Sequence, residues 1–143
     1  MPMPTLPEPE VRFRASVREK GVTATLVRGL VRRAWETYGG PAEAVVEVAL
    51  LGGEEHTVLH ERFLGDPAET DVMAFPYEDP DLFGEILVNR EFARKEAKRR
   101  KISAVDEIQL YIVHGALHLL GFDDSNPRTR KKMRVAEQRV LAD

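Results

Sequence analysis

The chain contains no cysteine, which excludes disulfide crosslinks and any cysteine-based zinc knuckle. No apolar run approaches the roughly 20 residues that a membrane-spanning helix needs, so no membrane partner is expected. The opening residues Met1-Pro2-Met3-Pro4-Thr5-Leu6-Pro7-Glu8-Pro9 lack both the basic start and the apolar core of a secretory signal. Positions 1–9 read instead as a mobile, proline-rich leader, and these absences together suit a reducing cytoplasm. An excess of positive charge is missing too: 21 Lys+Arg stand against 24 Asp+Glu, a net charge of −3. Any nucleic-acid contact must therefore come from a local patch. Aromatic residues make up only 7 % of the chain, and no platform for stacking bases is visible, which favours contact with a phosphate backbone over base readout. Repeats and low-complexity tracts are absent. At 143 residues the chain reads as one domain, large enough to bury roughly 68 % of its unfolded surface without crosslinks.

What is present centres on His114-Gly115-Ala116-Leu117-His118-Leu119-Leu120-Gly121-Phe122-Asp123-Asp124. Two histidines at i and i+4 share one face of an α-helix, about 6 Å apart along the axis, within reach of one transition-metal ion. Gly121 can take the left-handed conformation that ends a helix, after which the chain can turn a carboxylate toward the same ion. Asp123 and Asp124 compete for that third position. The HxxxHxxGxx(H/D) register of several metallohydrolases favours Asp124, leaving Asp123 to a turn or helix-end hydrogen bond. Three ligands with one side open is the usual form of a catalytic metal site.

The surrounding pattern predicts an α+β fold: a small mixed sheet of about four strands with about five helices, lying on one side of it. Val11 to Val17 alternates like a half-exposed strand. Thr23 to Tyr38 has helical spacing and is stopped by Gly39-Gly40-Pro41. Ala44 to Leu51 reads as a buried strand, and Gly52-Gly53 opens a helix reaching Leu64. Val72 to Phe75 and Gly84 to Val88 read as further strands joined by a loop from Pro76 to Asp81. Arg90 to Lys101 forms a charged helix. Ser103, paired with Asp106, caps the next, which is apolar on nearly every side from Leu110 to Leu120 and should be the buried, metal-bearing centre. Asn126 caps a last helix with Pro127 in its first position.

The histidine segment resembles the HGxLHLxGyDH signature of the YbeY family of endoribonucleases, which mature ribosomal RNA. His114, Gly115, Leu117, His118, Leu119, Gly121 and Asp123 match it, and Phe122 replaces a tyrosine. Thr70-Asp71-Val72-Met73-Ala74-Phe75-Pro76 looks like the family's PTDVLSFP segment, and Phe83-Gly84-Glu85-Ile86-Leu87-Val88 like its LGDIVI strand. Met133, Glu137 and Leu141 fall where the family's final helix has similar residues. The resemblance implies the same α+β architecture, one divalent metal ion (zinc) held by His114, His118 and Asp124, and cleavage of single-stranded RNA. It further implies a role in ribosome quality control, with the small ribosomal subunit as partner. Two departures stand out. Asp124 replaces the family's third histidine; its carboxylate binds zinc at a similar distance but makes the ion a weaker Lewis acid and admits harder metals. Leu64 stands where the family carries an arginine able to clamp phosphate, and Arg62 lies about 200° around the helix from it.

Other features admit plainer readings. His56 and His60 also have i,i+4 spacing, but their neighbours Glu54, Glu55, Glu61 and Arg62 suggest a solvated helix rather than a second metal site. His60 falls where the resemblance has asparagine and can face the groove as a substrate contact. The Arg90–Lys101 stretch reads as a solvent face paired with Glu91 and Glu96. The cluster Arg128, Arg130, Lys131, Lys132 and Arg134 directly follows Asp124 and is the better candidate for RNA contact. Gly115 occupies the position of the general-base glutamate in HExxH peptidases, so the zinc-peptidase reading is disfavoured by want of its proton acceptor. No catalytic side chain beyond the ligands is assigned, and the attacking group is either water or the substrate's own 2′-hydroxyl. A ribosome-binding assembly factor with weak or no nuclease activity is the alternative that Leu64 and the negative net charge suggest. Two histidines and a carboxylate also match the facial triad of iron oxygenases.

Overall fold

The structure is a computed structural model in which residues 8–142 are described. Its elements run β1 (Glu10–Ala15), α1 (Ala24–Tyr38), β2 (Val45–Leu51), α2 (Gly53–Leu64), β3 (Val72–Asp79), β4 (Leu82–Asn89), α3 (Arg90–Arg100), α4 (Ala104–Leu119) and α5 (Pro127–Leu141). The sheet has strand order β1-β2-β4-β3. β1, β2 and β4 are parallel, and β3 runs antiparallel against β4 at the edge. Among the described residues, five helices and a mixed four-stranded sheet make the α+β architecture expected from the sequence.

The strands alternate, and the alternation divides the core. Val11, Val46, Val48, Leu50, Ile86 and Val88 face one way and pack with Leu30, Trp35, Ile108, Ile112, Leu117 and Met133 from α1, α4 and α5. Ala49, Leu51, Met73 and Leu87 face the other way, beneath Leu59 of α2 and Phe75. The expectation that all helices lie on one side is therefore corrected: α2 covers the opposite face. Its apolar stripe is reduced to little more than Leu59, too slight in the sequence to betray a buried side.

α4 is the centre. Ile108, Tyr111, Ile112, Val113, Ala116 and Leu117 are buried around its circumference, and it packs against α1, α3, α5, β3 and β4. Ser103 caps its start by accepting from the Asp106 amide, as the sequence predicts. Two glycines let it lie close to the sheet. A Cβ at Gly115 would stand 2.6 Å from Ile86 Cγ2, and one at Gly84 would stand 2.6 Å from Leu119 Cδ2. Gly115→Ala should therefore lose about 1–3 kcal/mol of unfolding free energy through overpacking, read from urea midpoints. An unchanged midpoint would mean that α4 can retreat from β4. The same clash excludes a peptidase-type glutamate at this position on steric grounds.

Boundaries elsewhere moved for local reasons. The loop expected from Pro76 to Asp81 is mostly strand: β3 runs on to Asp79, Pro76 pairs with Gly84, Asp79 pairs with Leu82, and a bulge lies between. Its exposed polar residues hid a hairpin whose turn is closed by Asp79 Oδ1 accepting from the Asp81 amide at 2.8 Å. Pro76 is tolerated because β3 is an edge strand. β1 ends at Ala15, two residues before the expected Val17. Of the proposed leader, residues 1–7 lie outside the described residues. Pro9 is buried and Glu8 pairs with Arg32 at 3.3 Å, so positions 8 and 9 belong to the fold. Asn126 and Thr129 form a complete capping box at the start of α5, with Pro127 in its first turn.

Candidate metal centre

His114 and His118 sit on consecutive turns of α4 with their Nε2 atoms 3.1 Å apart. The helix then ends in a Schellman turn: the Gly121 amide donates to His118 O and the Phe122 amide to Leu117 O, each at 3.0 Å. Gly121 makes the turn possible with φ of +98°, a conformation that costs glycine little. Phe122 anchors the reversal edge-on against Tyr38 at 5.0 Å. Asp123 accepts from the Ser125 amide and hydroxyl, fixing the next turn and drawing its own carboxyl below the usual range. That leaves Asp124 to swing inward. Its Oδ2 lies 3.4 Å from His114 Nε2 and 3.5 Å from His118 Nε2. The structure thus brings together His114, His118 and Asp124, and gives Asp123 the turn role that the sequence suggests.

The donor set suits a divalent ion. Ligand atoms about 2.0–2.1 Å from a tetrahedral zinc stand about 3.3 Å apart, close to the 3.1, 3.4 and 3.5 Å observed between these three donors. Among the described residues this is the one cluster of histidine and acidic side chains with that geometry. All three side chains keep part of their surface exposed, so a bound ion would have an open side.

Sequence reasoning placed Glu137 on α5 but gave it no role. Its Oε2 accepts from His114 Nδ1 at 2.7 Å, and it is 8 % exposed. With the proton held on Nδ1, the Nε2 lone pair of His114 points toward Asp124 and His118. Such a carboxylate fixes the tautomer and raises the basicity of a metal-ligating imidazole. For the protein alone, burial opposes charge on His114, but Glu137, aided by Asp124 and Asp71, outweighs it and raises the ring's pKa above the ordinary value. The signal was present in the sequence: Met133, Ala136, Glu137 and Val140 share the buried face of α5, and a lone acid on an apolar face needs a partner.

The second histidine pair is not the solvated feature expected. His56 is fully buried and His60 is 8 % exposed, because α2 presses this side onto the sheet. His56 Nε2 donates to Leu87 O at 2.8 Å, and its Nδ1 meets no partner. His60 Nδ1 donates to Ala68 O at 2.9 Å. His60 does face the groove: with Leu64, Thr70, Val72, Phe75 and His118 it lines a cleft of about 360 Å³. Leu64, in place of the arginine, is exposed at its rim.

His56 gives the protein a calculable acid sensitivity. Burial, stronger than the Leu87 hydrogen bond, holds its pKa below 6.5, with His60 adding to the depression and Asp71 opposing it. The folded protein keeps this ring neutral while the unfolded chain protonates it, so its stabilising contribution is complete above the unfolded value and is lost as pH falls through the folded one. Between about pH 7 and about pH 5, His56→Gln should show a shallower fall in urea midpoint than the wild type. Parallel falls would contradict this reading.

The two basic segments differ sharply. On α3, Arg94 pairs with Glu19, Lys95 with Glu69, Arg99 with Glu96, and Arg100 with the buried Glu107, while Arg90 is bonded to Glu91. The paired, solvent-facing reading of this helix is borne out. On α5, Arg128, Arg130, Lys131, Lys132 and Arg134 are all exposed, and none of the ion pairs among the described residues involves them.

Comparison with known proteins fits this arrangement. The family model described as Endoribonuclease YbeY matches residues 13–143. A Salinispora tropica protein named Endoribonuclease YbeY is 31 % identical over 137 residues, covering 85 % of this chain and 87 % of that protein. A Saccharopolyspora erythraea protein of the same name is 34 % identical over 113 residues, or 70 % of this chain, and the match spans only 62 % of that longer protein. The solution structure of TM1509 from Thermotoga maritima superposes with a TM-score of 0.63 at 26 % identity, covering 92 % of this chain and 89 % of that one. The family match over residues 13–143, together with a relative aligned along most of both chains, establishes that this chain belongs to the endoribonuclease YbeY family.

Proposed function

We propose that this protein is a metal-dependent endoribonuclease that cuts single-stranded RNA, and that its 143 residues act as one metallohydrolase domain. The observation that carries the reading is the convergence of His114, His118 and Asp124 at ligand spacing in a chain of this family. We assign the ion to these three ligands and take it to be zinc, which two imidazoles and a carboxylate in tetrahedral array suit. When bound, it supplies a Lewis acid able to acidify water or polarise a phosphoryl oxygen.

The protein's own residues have separable tasks. His114, braced by Glu137, and His118 hold the ion from one helix, and Asp124 closes the set from the turn. Gly115 contributes no base and keeps α4 against Ile86. The exposed cations Arg128, Arg130, Lys131, Lys132 and Arg134 lie immediately beyond Asp124 and supply the local positive patch that a chain of net charge −3 needs to hold a phosphate backbone. Family membership supports ribosomal RNA maturation and ribosome quality control in the cytoplasm, with the small ribosomal subunit as the assembly engaged.

The test is cleavage of a labelled single-stranded RNA by purified protein before and after chelation and zinc restoration. Cleavage that stops with chelator and returns with zinc is expected; cutting indifferent to chelator would overturn the assignment. Leu64 motivates a second reading, a ribosome-binding assembly factor without turnover. Binding to the small subunit with no cutting under any metal condition would favour it.

A further inference from the structure

Little in the sequence suggested aromatic stacking, yet the fold assembles a site for it beside the metal centre. The last turn of α2 carries Phe63 and Leu64, each 57 % exposed. A lone exposed apolar side chain needs no explanation, but these are not isolated. Phe63 rests against Phe75 of β3 with ring centroids 5.5 Å apart and planes at 59°. Phe75 and Leu64 also line the cleft whose far wall is His118, one of the proposed ligands. Phe75 and Leu64, from the α2 side of the sheet, therefore share one cleft with His118 around the edge of β3.

Two further features define what fits there. The cleft is walled by the edge strand β3, whose outer backbone groups pair with no strand and can hydrogen-bond an extended ligand. His60 adds one polar group: with Nδ1 donating to Ala68 O, its Nε2 is left for a ligand in the cleft. No lysine or arginine lines this cleft. The segment around it carries Glu61 and Asp66 beside Arg62, with Glu69 paired to Lys95, and so offers phosphate no net positive charge. A flat, apolar, partly polar-edged group is favoured over an anion.

We propose that Phe63 and Phe75 form a stacking platform for one unpaired nucleobase next to the cut phosphate, with His60 Nε2 hydrogen-bonding to its edge. The phosphate backbone meanwhile follows the α5 cations. The inference rests on the nuclease reading and assigns that reading a base subsite. It also gives a physical basis for single-strand preference, since a base held in a duplex cannot leave its stack to reach the platform.

The experiment uses the zinc-loaded full chain and a single-stranded RNA of mixed sequence, alongside copies of that RNA carrying an abasic site at each position in turn. Stacking on one aromatic platform is worth about tenfold in affinity, so Phe63→Leu should raise KM roughly tenfold with kcat little changed. Phe63→Trp should retain the wild-type KM and show fluorescence quenching on RNA addition, absent from the wild type because Trp35 is buried. One abasic position should raise the wild-type KM by the same factor and have no added effect in Phe63→Leu. A wild-type KM in Phe63→Leu, or an abasic penalty undiminished in that variant, would overturn the platform. Anisotropy with chelator-treated protein separates this proposal from the nuclease reading. If nothing cuts but Phe63→Leu still binds RNA tenfold more weakly, the platform stands and the nuclease assignment falls. If the wild type cuts and Phe63→Leu matches it in both KM and binding, the reverse holds.

Discussion

His118→Ala is expected to lower kcat/KM for RNA cleavage by at least about 10²–10³-fold, the loss that follows removal of one electrostatic stabiliser of a transition state. The effect should be this large because three donors converge among the described residues, and deleting one leaves His114 Nε2 and Asp124 Oδ2, 3.4 Å apart, as a two-point site. Folding should survive, since the side chain of His118 is about one-third exposed and α4 is held by Ile108, Ile112 and Leu117 on its other faces. Asp124→Ala should behave alike, because its carboxylate makes no contact that the fold needs. Asp124→His is the informative companion. It restores the imidazole of the resembling signature, and an imidazole nitrogen and a carboxylate oxygen bind zinc at about the same distance. Cleavage by that variant should stay within about tenfold of the wild type. A His118→Ala protein that still cuts RNA at the wild-type rate would remove the metal from the mechanism.

Glu137→Gln is expected to weaken zinc binding by about 10–100-fold while leaving the fold in place. The amide can still accept from His114 Nδ1 but carries no charge to strengthen the imidazole as a ligand. The residue lies on the buried face of α5 beside Met133 and Val140, so glutamine preserves volume where alanine would leave a void. Competition against a zinc-sensitive dye measures the effect, and cleavage at saturating zinc should recover most of the wild-type rate. That recovery distinguishes a residue acting through His114 from one acting on RNA. Unchanged zinc affinity would make Glu137 a partner of the fold alone.

The convergence of His114, His118 and Asp124, the proposed ligands, was legible in the sequence because the i,i+4 spacing, Gly121 and the acidic pair are all local, and helix geometry converts local spacing into convergence. The caps Ser103 and Asn126 were legible for the same reason. What escaped notice depends on contacts between segments far apart in sequence. Glu137 meets His114 across 23 positions; the apolar face of α5 signals that Glu137 needs a partner, but not which one. α2 looked solvated because Glu54, Glu55 and Glu61 dominate its composition, yet His56 and His60 lie on the side pressed against the sheet. Phe63 and Phe75 likewise belong to different elements, so two unremarkable aromatics became a surface only in the fold. The β3 hairpin was missed because exposed strands and loops share a polar composition, and pairing rather than polarity separates them.

Calorimetric titration of zinc into chelator-treated, dialysed protein tests the central claim most directly. One equivalent per chain is predicted for the wild type, with no comparable binding in His114→Ala, His118→Ala or Asp124→Ala. Failure of the wild type to bind, or undiminished uptake by all three variants, would contradict the account.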